Sequence, residues 1–185
     1  MKKLMFIAVA ALAFCASAAS CDWTVDTIND PSSGSGAESF LVYFFDANAA
    51  GTSISDANTA LASKNVATIN TFLAQGVEGM LTDGGYSEGT MTGLANSYTV
   101  GGYLVIFDAE TVAGAEYAYV SSVENGTTGG LGQKATISFG DLDATATLSN
   151  WTQISGGGSG DIPEPTSGLL LLVGGAMLAL RRRRA

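Results

Sequence analysis

The sequence predicts a mostly β or α+β domain, an antiparallel sheet or sandwich with one packed helix, set between a signal peptide and a short C-terminal transmembrane helix. Three observations predict it. Short runs of aromatic and β-branched residues recur between turns rich in Gly, Asp and Asn. Only one stretch, 53–76, spaces its apolar residues as a helix does. An apolar run beside basic residues stands at each end of the chain. The chain divides into residues 1–18, a signal peptide; 19–155, an acidic extracytoplasmic domain; 156–162, a Gly/Ser-rich linker; and 163–185, a tail with its own composition.

At the start, Lys2 and Lys3, the apolar run 4–14 and the small residues Ala16, Ser17 and Ala18 form the three regions of a secretory signal. Ala16 and Ala18 place cleavage after Ala18. Cys21 follows closely, so Ala18-Ala19-Ser20-Cys21 also loosely fits a lipidation site, without the usual Leu three places before the Cys. With Cys15 removed, Cys21 has no cysteine partner in its own chain. It is lipidated, paired between chains or free.

Trp23 to Ile28 alternates as a strand does, and Asp30 to Gly36 has loop composition. Phe40 to Phe45 is a dense apolar run, predicted as a central strand buried on both faces. Tyr103 to Glu110 resembles it in composition, with the same aromatic-Asp-Ala finish, and the two are expected to be neighbouring core strands. Asp46 and Asp108 then open the turns that follow. A sharper reading makes them ligands for a metal ion or a catalytic carboxylate pair.

Ser53 to Gly76 is predicted as one helix. Asp56 or Ser55 caps it, Ala57, Leu61, Ile69, Phe72 and Leu73 form its apolar face, and Gly76 ends it. Residues 77–99 are predicted as turns, with a short helix near Thr92 to Asn96. Ala115 to Val123 is expected to pair with the Tyr103 strand through a turn at 112–114. Asn125 to Gly130 is a loop by composition, and 134–139 and 144–151 are expected as closing strands.

Composition limits the chemistry. The chain has no histidine, which removes the commonest general base and metal ligand. Between Ala19 and Ile162 the basic side chains are Lys64 and Lys134, against 16 of the 17 acidic residues. Such a surface repels nucleic acid. Phosphate loops are missing, and the segment 46–57 fails as a calcium loop at Ala50 and Ala57. The expectation is a protein that is not an enzyme and needs no cofactor. Trp23, Trp151, Tyr86, Tyr98, Tyr103, Tyr117 and Tyr119 leave open a second reading, a carbohydrate-binding or exopolysaccharide-associated adhesion module with an aromatic platform.

The tail combines Pro163, Glu164 and Pro165, an uncharged run of 13 residues from Gly168 to Leu180, and Arg181, Arg182, Arg183 and Arg184. Two prolines stiffen the first part into an extended peptide. The run is short of the roughly 20 residues of a membrane-crossing helix, but snorkelling arginines can shorten that requirement and hold their end in the cytoplasm. This order of motif, apolar run and arginine block resembles the PEP-CTERM sorting signal of exported bacterial proteins. The resemblance is confined to the tail. It implies that Pro163, Glu164 and Pro165 are recognised by an exosortase-like processing enzyme, and it associates the protein with extracellular polysaccharide. The expected route is export, a membrane-anchored precursor held by the C-terminal helix, and delivery to the cell surface or extracellular matrix.

Overall fold

A computed structural model of the chain describes residues 18–155. The strands and helices in chain order are β1 (Ala19–Val25), β2 (Thr27–Ile28), β3 (Leu41–Asp46), α1 (Ile54–Ala62), α2 (Val66–Leu73), β4 (Val77–Glu78), β5 (Met80–Leu81), β6 (Ser87–Leu94), β7 (Thr99–Phe107), β8 (Tyr117–Val120), β9 (Glu124–Thr127), β10 (Ala135–Ser138), β11 (Asp141–Leu142) and β12 (Thr152–Gln153).

Strong alternation in β1 builds the first sheet. Ala19, Cys21, Trp23 and Val25 are buried, while Ser20, Asp22 and Thr24 lie on the other face. β1 is central in the order β10-β1-β6-β5. It runs antiparallel to β6 and parallel to β10, and the parallel ladder resumes as β2 with β11.

The larger sheet has the order β12-β8-β7-β3-β4, with β9 also on β7. Its centre is the pair anticipated from the two apolar runs, β3 and β7, antiparallel from Leu41↔Phe107 to Asp46↔Gly102. Because neighbouring residues point to opposite faces, each strand feeds two cores. Val42, Phe44, Leu104 and Ile106 face the smaller sheet, where Phe44 stacks on Trp23 with centroids 5.4 Å apart and planes at 7°. Phe45, Tyr103, Val105 and Phe107 face the helices, where Phe45 stacks on Phe72 at 4.6 Å and on Tyr103 at 5.5 Å. The result is three layers, sheet on sheet on helices.

The helical layer corrects the expectation of one helix. Ser53 caps α1 in a reciprocal capping box with Asp56, its Oγ accepting from Asp56 N–H at 3.2 Å and its own N–H donating to Asp56 Oδ2 at 3.0 Å. The chain then turns at Lys64, whose φ is 53°, and Asn65 caps α2 through its side-chain oxygen on Thr68 N–H. Ala57, Leu61, Ile69, Phe72 and Leu73 are all buried, so the apolar face is divided between two helices.

Other departures are physical too. β6 occupies a stretch predicted as turns and a short helix, and β9 one predicted as a loop. The closing strand predicted over 144–151 is instead two 3-10 turns, Asp143–Ala146 and Leu148–Asn150. The fold is therefore a mixed α+β arrangement with two helices and both parallel and antiparallel pairing, which corrects the mostly antiparallel domain with one helix. Among the described residues no helix is long and apolar enough to cross a membrane. The transmembrane helix, the membrane as partner and the membrane-anchored precursor are withdrawn on that finding; the run 168–180 on which they rested lies outside the described residues.

Candidate functional site

Asp46 and Asp108, the two carboxylates singled out from sequence, both organise backbone. Asp46 is 4% exposed. Its Oδ1 accepts from Asn48 N–H and Gly101 N–H, each at 3.0 Å, and its Oδ2 accepts from Tyr98 O–H at 2.6 Å. Around it Thr52 Oγ1 donates to Asp46 O at 2.7 Å, Asn48 Nδ2 to Thr99 O at 2.9 Å, and Tyr103 O–H to Thr52 O at 2.8 Å. This network ties the loop after β3 to the start of β7. The hydrogen bond to Asp46, helped by burial and the carboxylate's charge, pushes the Tyr98 hydroxyl up to about 12.

Asp108 Oδ1 accepts from Glu116 N–H at 2.9 Å and Tyr117 N–H at 3.0 Å, closing the β7–β8 connection. The two aspartates stand at opposite ends of the β3–β7 ladder, six residues or about 20 Å apart at strand spacing. They share neither an ion nor a substrate atom, which corrects the metal and catalytic-pair reading. Among the described residues no three Cys, Asp or Glu side chains gather closely enough to hold a metal ion.

Cys21 lies in the middle of β1 with no exposure, facing the core between the sheets. Burial, with the charges of Asp22 and Asp46 adding to it, pushes the thiol up to about 11. A sulfur there cannot carry an acyl chain or a disulfide to another chain without leaving the core, so the geometry speaks for the free thiol. Ala18 is exposed and precedes the first buried residue, Ala19. Ala16, Pro163, Glu164, Pro165 and Arg181 to Arg184 lie outside the described residues.

Of the seven aromatic residues singled out from sequence, four are buried and Tyr86, Tyr98 and Tyr117 are partly exposed. Trp23 and Tyr103 have no exposure, and Tyr119 and Trp151 pack tilted at 5.7 Å. Trp151 Nε1 donates to Thr145 O at 2.9 Å.

Two surface features were not anticipated. A groove of about 400 Å³ runs past Asp30, Glu38, Phe40 and Asp108. Asp30 is committed within its own loop, accepting from Ser32 N–H at 2.8 Å and Ser33 O–H at 3.0 Å. A second groove, about 570 Å³, lies over the β1–β6 pair between Asp22, Glu78, Met80, Glu88 and Thr90. Beneath that pair are two buried polar atoms without a hydrogen-bond partner, Trp23 Nε1 and Ser87 Oγ. Its sequence trace was the alternation Ser87, Gly89, Met91 against Glu88, Thr90, Thr92, obscured because the inward residues are small. Gly79 and Gly89 leave room for the Trp23 ring; a β-carbon at Gly89 would lie 2.8 Å from its Cε2.

Searches against protein-family models, curated proteins and solved structures give no match to this chain.

Proposed function

We propose that the chain is an exported, non-enzymatic surface or matrix protein whose Pro163-Glu164-Pro165 segment is a processing address of the PEP-CTERM kind. The observation that carries this reading is the tail's composition and order, Pro163-Glu164-Pro165 placed after the Gly- and Ser-rich residues 156–160 and before the uncharged run and the arginine block. The first strand supports it, because β1 begins at Ala19, the residue after the Ala16-Ser17-Ala18 cleavage pattern. The absence of histidine and the use of Asp46 and Asp108 as backbone acceptors favour a structural cargo over a catalyst.

The test is processing in an export-competent bacterial host. Replacing Pro163, Glu164 and Pro165 together by alanine is expected to leave the tail attached in the accumulated protein. Removal of the tail at the same position in the variant would refute the address.

A further inference from the structure

The smaller sheet is closed along only part of one edge. β6 runs beside β1 from Ser87 to Leu94. On its other side β5 covers only Ser87 and Glu88; the residue before it, Gly79, lies between strands and donates its N–H to Val42 O of the larger sheet at 2.8 Å. The phase of the open side follows from Thr82 N–H donating to Tyr86 O at 2.8 Å. Backbone groups alternate sides along a strand, so those of Thr90 face the same side as those of Tyr86 and Glu88; Thr92 lies where the register against β1 shifts between Met91 and Leu94 and Gly93 takes a φ of 81°. Among the described residues no strand pairs with Thr90 on that side. Gly89 to Leu94 contains neither charge nor proline; of the devices that protect an edge it carries a bulge, the register shift against β1 between Met91 and Leu94.

Independent features converge on this edge. The 570 Å³ groove lies beside it, with Met80 61% exposed on its wall. The unpartnered Trp23 Nε1 and Ser87 Oγ stand under the same strand, and a β-carbon at Gly89 would fall 2.9 Å from Nε1. Three carboxylates rim the groove. Asp22 is bonded to Lys134 at 3.0 Å, the one salt bridge among the described residues. Glu78 and Glu88 receive only tyrosine hydroxyls, from Tyr43 at 3.2 Å and Tyr86 at 2.8 Å.

We infer that the open β6 edge binds an extended basic segment of a partner protein as an added strand. The main chain of Thr90 supplies the pairing, and Glu78 and Glu88 select lysine or arginine at the incoming strand's flanking positions. A second copy of this chain is the poorer occupant, since its domain carries the same acidic excess.

The experiment is a titration of the full chain, labelled for amide NMR, with a synthetic decapeptide alternating lysine with threonine or valine. A glutamate counterpart serves as control. The lysine peptide is expected to shift the Thr90 amide and slow its exchange at least tenfold, and the glutamate peptide to leave it unchanged. Glu78→Lys with Glu88→Lys, both exposed, should weaken the binding at least tenfold. The inference is overturned if neither peptide moves this amide, if both do equally, or if charge reversal changes nothing. Protection already present without peptide also overturns it, assigning the edge to a second copy if it grows with protein concentration and to this chain itself if it does not.

Discussion

Replacing Asp46 by alanine leaves Gly101 N–H, Asn48 N–H and Tyr98 O–H without their acceptor, the first of these bonds buried and the other two partly buried. Buried donors deprived of a charged acceptor cost about 1–3 kcal/mol each, not additively. We predict a loss of about 3 kcal/mol for Asp46→Ala and about 1–2 kcal/mol for Tyr98→Phe, read from urea unfolding; losses below about 0.5 kcal/mol would show that the knot contributes little. That Asp46 follows a core strand and shapes a turn was legible in its sequence position. That it also binds Tyr98 and Gly101, more than 50 residues away, was not, because such partners exist only once β3 and β7 pair. Cys21, for which the sequence leaves lipidation, pairing between chains or a free thiol open, is an inward residue of a central strand. The alternation Ala19, Cys21, Trp23, Val25 carries that information.

At the scale of elements, legibility followed side-chain size. β3 and β7 announce themselves through large apolar residues that serve two cores at once. β6 hides, since its inward positions include Ser87 and Gly89, made small by the Trp23 ring that fills the space. Putting a methyl group at Gly89 should therefore cost more than an exposed strand position would suggest. We expect Gly89→Ala to lower stability by about 1–3 kcal/mol, the range for overpacking a core, and thermal unfolding within error of the parent would contradict the packing described. The helix break was likewise invisible to periodicity, because the apolar positions of α1 and α2 together imitate one helix. It depends on Lys64 at φ 53°, a conformation that costs a non-glycine residue about 1 kcal/mol. Lys64→Gly should raise stability by about 0.5 kcal/mol in urea unfolding, and a decrease would mean that the lysine side chain matters more than the turn.

For the molecule as a whole, pH dependence follows from groups held neutral by the fold. Burial holds the Cys21 thiol at about 11 and the Asp46 hydrogen bond holds Tyr98 at about 12, above the unfolded values of roughly 8.5 and 10. Between those values the unfolded chain has lost protons that the native state keeps. The stability these groups contribute is thus full below the unfolded values and is lost as pH rises through the folded ones. Urea midpoints should fall from about pH 9 upward, and Cys21→Ala should flatten the first part of that fall. The parallel β1–β10 pairing, which joins residues more than 100 positions apart, has no local trace in sequence, whereas the composition of 1–18 and 163–185 is wholly local. Whether the chain is exported and trimmed at its tail is decided by intact-mass spectrometry of the protein recovered from an export-competent host. The predicted result is a chain beginning at Ala19 and lacking the arginine block, with the block retained when Pro163, Glu164 and Pro165 are alanine. A chain that keeps residues 1–18, or that loses its tail equally with and without the motif, would contradict the account.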